Sequence, residues 1–164
     1  MADNADKCQS DAELARLIIQ SATDFAIISS DTNGILRSWS PGATKLLGWT
    51  ADEAIGQHVE LIFTSEDRQT GHPQMEMALA RAEGFAFDER WHLRKDGARF
   101  WASGELQPIR SAGKHNTEIT GYLKIIRDRT DHRLLVQQAE ESRSYLKLLL
   151  DSADEAFYLS LIHI

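Results

Sequence analysis

Between Asp88 and Gly104 the chain reads DERWHLRKDGARFWASG, with two tryptophans, a histidine, four basic residues and three acids around one Asp-Gly step. Such a crowd would make an aromatic cage or an acid–base pair if its members shared a face. Asp96-Gly97 fits a two-residue hairpin turn, which pairs Leu93 with Phe100, Trp91 with Ala102 and Glu89 with Gly104. Alternation then sends Phe87, Glu89, Trp91, Leu93, Phe100, Ala102 and Leu106 to one face, and Arg90, His92, Arg94 and Trp101 to the other. On this register the two indoles cannot form one cage. Glu89 becomes a carboxylate facing the interior, where it must be paired by a local cation or by a ligand.

Elsewhere the chain offers no catalytic constellation. It has no Ser-His-Asp spacing, no glycine-rich phosphate loop and no HExxH motif. Asp24, Asp31 and Asp52 are scattered turn and cap residues. The single cysteine, Cys8, excludes a disulfide framework and a CxxC metal site. Eighteen basic against 25 acidic residues give a net charge of −7 with no basic run, which argues against a nucleic-acid partner. No apolar run approaches a membrane span, and MADNADKCQSDAE lacks the basic and apolar regions of a signal peptide, so the expected compartment is the cytoplasm.

The elements that must position these residues follow from punctuation and periodicity. Residues 1–11 read as a polar, disordered head. Residues 12–23 read as a flanking helix, within a stripe of Leu14, Leu17, Ile18, Ala22 and Phe25. FAIISSDTNGILRSW predicts two strands around Thr32-Asn33-Gly34. Three helices should follow. Ser40 caps the first, with Pro41 opening and Gly48 closing it; Thr50 and Glu53 box the second, which Gly56 ends; Pro73 opens the third, to about Arg81, stopped near Gly84. ITGYLKIIRDR is the last strand. A linker helix at 130–150 follows, in which Leu135, Ala139, Ser142, Leu146 and Leu149 make a coiled-coil seam with one polar member. LLLDSADEAFYL from Leu148 echoes LIIQSATDFAII from Leu17, which marks 151–158 as the start of a truncated second copy. LSLIHI, 159–164, reads as the translated end of a transposon-based sequencing adapter.

This order of elements, together with GWTADEAIGQHVELIF, RKDGARFWASG and the ending IIRDRTD, resembles a PAS (S-box) domain of bacterial sensor proteins over about residues 12–131. The likeness is greatest to PAS repeats upstream of histidine kinases. It implies an α+β fold at 24–129: a five-stranded antiparallel sheet with short helices on one face, flanked by an N-terminal amphipathic helix and a C-terminal signalling helix. The implied pocket would draw on Phe25, Ile27, Leu47, Ile62, Met75, Leu79, Glu89, Trp91, Phe100, Leu123 and Ile125. Trp101 and His92 would lie outside, covered by the flanking helix. Asp128-Arg129-Thr130 matches the D-x-T motif that hands the last strand to the signalling helix, with Thr130 as its cap. A homodimer would form through Leu14, Leu17 and Ile18 and through Leu135, Leu146 and Leu149.

The resemblance implies a sensory and dimerisation module, not an enzyme. It would relay a small-molecule or partner signal to an output domain, a histidine kinase in the same chain. Light-sensing PAS domains carry a reactive cysteine in G-x-N-C-R-F-L; the matching Gly56–Ile62 has Val59 there, which excludes cysteinyl-flavin photochemistry. Some haem PAS sensors take the proximal histidine from the long helix, in one subclass directly before a proline. His72-Pro73 is similar, although its interval to Asp96-Gly97 is shorter than in those modules. A haem gas or redox sensor is therefore one alternative. The other is a ligand-free interaction domain, whose sign would be an interior filled by its own Phe, Met and Trp side chains. The sequence assigns no cofactor.

Overall fold

Ser40 shows how local chemistry places the elements. Its hydroxyl accepts from Ala43 N–H at 3.1 Å, capping helix α2 (Pro41–Leu47), and from Ile27 N–H at 3.0 Å, which fastens that helix to strand β1 (Ala26–Ser30). The computed structural model describes residues 2–111 and 118–162. Before β1 comes α1 (Ala2–Ser21), and between β1 and α2 lies β2 (Leu36–Trp39). After α2 come α3 (Ala51–Ala54), with the expected Thr50–Glu53 capping box, a 3-10 turn (Val59–Ile62), α4 (Ser65–Gln69) and α5 (His72–Glu83). Strands β3 (Ala86–Leu93), β4 (Arg99–Arg110) and β5 (Ile119–Asp128) complete one sheet, antiparallel throughout, in the order β2-β1-β5-β4-β3. This is the expected α+β architecture.

The described chain forms two units, one ending at Arg129 and one beginning at Thr130. The second is the single helix α6 (Thr130–Ile162). It runs through 151–158, the stretch whose sequence echoes the start of the domain. Residues 163–164 of the expected adapter tail lie outside the described residues. Thr130 is the first residue of α6, so Arg129 and not Thr130 holds the position before the helix. Helix α1 likewise takes in most of the head expected to be disordered, since neither glycine nor proline interrupts it.

The hairpin register differs from expectation by one residue. Three residues, Lys95 to Gly97, make the loop: Arg94 N–H donates to Ala98 O at 2.9 Å, and Gly97 takes the left-handed φ of +84° that ends such loops. Trp91 therefore pairs with Trp101, His92 with Phe100 and Asp88 with Gly104. Every face assignment on β3 reverses. Asp88 and His92 are buried, while Phe87, Glu89 and Trp91 are exposed. A two-residue Asp-Gly loop and a three-residue loop ending in glycine look alike in sequence, and one residue of slip turns each side chain over.

The same inversion occurs in β1 and β5. Ala26, Ile28, Tyr122, Lys124 and Ile126 are buried, whereas Ile27, Leu123 and Ile125 lie half-buried on the opposite face and Phe25 is exposed. In β1 both alternating sets carry apolar residues and give period-two reasoning little contrast, and in β5 Lys124 marks the buried set as the outward one. The buried face packs against the helices through Ile28, Leu36, Leu47, Ile62, Phe63, Phe100 and Ile126.

Candidate functional site

Four elements bring ionisable groups together beneath this core. Helix α5 turns Pro73, Glu76 and Ala80 inward, leaving Met75 and Leu79 exposed. Strand β5 contributes Lys124, β3 contributes Asp88, Arg90 and His92, and α4 contributes Asp67. The Lys124 ammonium donates to Glu76 Oε1 and stands 3.6 Å from Asp88 Oδ1. Arg90 bridges two carboxylates, with 2.6 Å to Asp67 Oδ1 and 2.9 Å to Asp88 Oδ2. Gly104 gives Asp88 its room: a Cβ there would meet Asp88 Oδ1 at 2.6 Å.

Two imidazoles face the same carboxylate, His72 Nε2 at 3.9 Å and His92 Nε2 at 4.0 Å from Asp88 Oδ2. His92 Nδ1 donates to Ile62 O at 2.9 Å, so its Nε2 is the unprotonated nitrogen of the neutral ring. Among the described residues, both Nε2 atoms and both Asp88 oxygens lack an aligned hydrogen bond. Burial pushes His92 down to about 4, with the Lys124 charge adding to the effect. Burial and the neighbouring Arg90 hold His72 below the usual imidazole range, and burial raises Glu76 despite Lys124 beside it. His72, Glu76 and Asp88 each offer a ligand atom, all within 4.8 Å of one another, but Lys124 already supplies the cation at that point.

The expected pocket residues do not converge. Leu47, Ile62 and Phe100 are buried in the core. Ile27, Leu123 and Ile125 belong to the other sheet face, and Phe25, Met75, Leu79, Glu89 and Trp91 are exposed. A cavity of about 10 Å³ remains among Ile28, Leu36, Val59, Phe63, Glu76 and Lys124. That is room for about one water, whereas ligand pockets run to roughly 300–1,000 Å³. The surroundings of His72 do not fit haem: among the described residues its Nε2 faces the Asp88 carboxylate, and the cavity lined by the adjoining Pro73 and Glu76 holds only about 10 Å³. Reasoning from sequence passed over Lys124, Glu76, Asp88, Arg90 and Asp67. The signals were a lone lysine in YLKII and the Thr64-x-x-Asp67 start of α4, whose Thr64 side chain accepts from Asp67 N–H.

The end of β5 is tied down. Arg94 donates to Asp128 Oδ2 at 2.5 Å and to Leu46 O, and its guanidinium lies 4.4 Å from the Phe100 ring centroid. On the outer sheet face Trp91 and Trp101 meet edge to face, with ring centroids 5.4 Å apart. They are neighbours, not on opposite faces as expected. Leu14, Leu17 and Ile18 on α1 are exposed, as are Leu135, Leu146 and Leu149 on α6. No helix among the described residues is long and apolar enough to cross a membrane.

Residues 13–129 match the family described as the PAS fold. Two-component system protein A of Emericella nidulans is 34% identical over 121 residues, 74% of this chain and 17% of that protein. Oxygen sensor protein DosP of Escherichia coli is 26% identical over 113 residues, 66% of this chain and 13% of that protein. Sensor protein FixL of Bradyrhizobium diazoefficiens is 27% identical over 134 residues, 80% of this chain and 25% of that protein. This chain thus spans a quarter or less of the relatives' length. The crystal structure of a PAS domain from Colwellia psychrerythraea superposes with a TM-score of 0.66 at 27% identity, covering 73% of this chain and 98% of that one.

Proposed function

This chain belongs to the PAS family, and from that premise we propose that it is the relay and dimerisation module of a two-component sensor, passing a signal through α6 to a histidine kinase. PAS domains are non-catalytic sensory modules, and this one is similar to those of two-component proteins. The observation that carries the relay is the Arg94 junction. One guanidinium touches the core ring Phe100, the end of α2 at Leu46 and the last residue of β5, Asp128, two positions before α6 begins. A shift in core packing would reach Asp128 through one rigid group.

A filled interior supports a module that works without a bound cofactor, its signal arriving as a partner or a very small ligand. The apolar stripes on α1 and α6 support pairing with a second copy. The experiment exchanges this chain for the sensor domain of a two-component histidine kinase and measures autophosphorylation. The reading expects a rate that differs from that of the kinase with its sensor domain deleted, and that returns to the deletion value in Asp128→Asn. Equal rates in all three proteins would refute it.

A further inference from the structure

Charge in the α4–α5–β3–β5 cluster does not balance. Among the described residues, Asp67, Glu76 and Asp88 pair with two cations, Arg90 and Lys124, while His72 and His92 turn Nε2 atoms without a hydrogen bond toward one Asp88 carboxylate. One more positive charge would neutralise the group. A divalent metal would overshoot by one charge and compete with the Lys124 ammonium for Glu76 and Asp88. A proton supplies a single charge and needs no added volume. We propose that the cluster is a proton-binding site, in which His72 takes up the proton and pairs as imidazolium with Asp88.

His72 is the acceptor because 21% of its side chain remains exposed, whereas His92 is sealed and its Nδ1 is committed to Ile62 O. The groups facing His72 are Asp67 from α4, Glu76 one turn along α5, Asp88, Arg90 and His92 from β3, and Lys124 from β5. The Phe63 ring, 6.3 Å away, is an uncharged wall. Burial, Arg90 and Lys124 disfavour the imidazolium, while Asp88 and Asp67 favour it. Uptake therefore falls below the ordinary imidazole value. The imidazolium then competes with Arg90 for Asp88 Oδ2 and ties α5 to β3, while Arg90 keeps Asp67 and with it the tie between α4 and β3. The site holds whether or not the module drives a kinase.

The test is a histidine-selective NMR titration of the folded chain from about pH 8 to pH 4. The chain has six histidines, and His72 is assigned by the signal lost in His72→Gln. The expected result is a His72 midpoint below the ordinary imidazole value. Arg90→Gln should raise that midpoint and Asp88→Asn lower it, each by roughly one pH unit. Should His72→Gln fail to fold, the opposite shifts in the other two variants identify the same ring. An ordinary midpoint indifferent to both substitutions overturns the proposal. So does a ring silent through the window because Glu76 takes the proton. Zinc that shifts the His72 signals and raises the melting temperature at neutral pH also overturns it, in favour of a metal site.

Discussion

Lys124 holds its ammonium between Glu76 and Asp88, so Lys124→Met strands two buried carboxylates. Breaking a buried pair from one side costs about 3–5 kcal/mol, whereas replacing both partners with apolar groups is often near neutral. Urea denaturation should show a loss of that size for Lys124→Met, and a smaller loss for Lys124→Met combined with Glu76→Met. Equal losses would mean that the pair is not coupled. His92 sets a pH dependence of its own. Its folded value, about 4, lies below its unfolded value near 6.5, so the unfolded chain binds the proton first as pH falls. Its contribution is complete above about pH 6.5 and is lost as pH falls toward 4, up to roughly 3 kcal/mol. Stability measured across that window should fall less steeply in His92→Gln; an unchanged slope would place the proton elsewhere.

The hairpin is where element-scale reasoning succeeded and failed at once. The glycine turn, the two strands and their pairing were legible in RKDGARFWASG, but loop length was not, and one residue of slip exchanged Trp91 for His92 in the interior. Charge misled in β5 as well: a lysine argues against an interior strand position, yet Lys124 goes inside because Glu76 and Asp88 wait there. Only the assembled fold brings those three residues, far apart in sequence, together. The caps of α2 and α3 were legible because their chemistry is local. The observed register predicts that Trp91→Ala and Trp101→Ala behave alike, each costing about 0.5–1.5 kcal/mol through the lost ring pair, beyond the area each exposes. Phe100→Ala, in the sealed core, should cost about 3–5 kcal/mol. Chemical denaturation of the three variants checks the ranking. A Trp91→Ala loss matching that of Phe100→Ala, with Trp101→Ala nearly silent, would restore the register expected from sequence.

On the scale of the molecule, the account joins a filled PAS core, a junction at Asp128 and two exposed apolar stripes. Sedimentation should show a dimer at tens of micromolar that weakens in the Leu17→Glu, Leu146→Glu double variant; a monomeric parent chain would remove the second copy from the account. The central claim is that the core signals through the Arg94–Asp128 contact. Its most direct test is a double-mutant cycle on the autophosphorylation rate of the kinase carrying this domain, with Arg94→Gln, Asp128→Asn and the two combined. The account predicts that either substitution abolishes control and that the second adds nothing to the first, because both break one contact. Independent effects that sum in the double variant would contradict it.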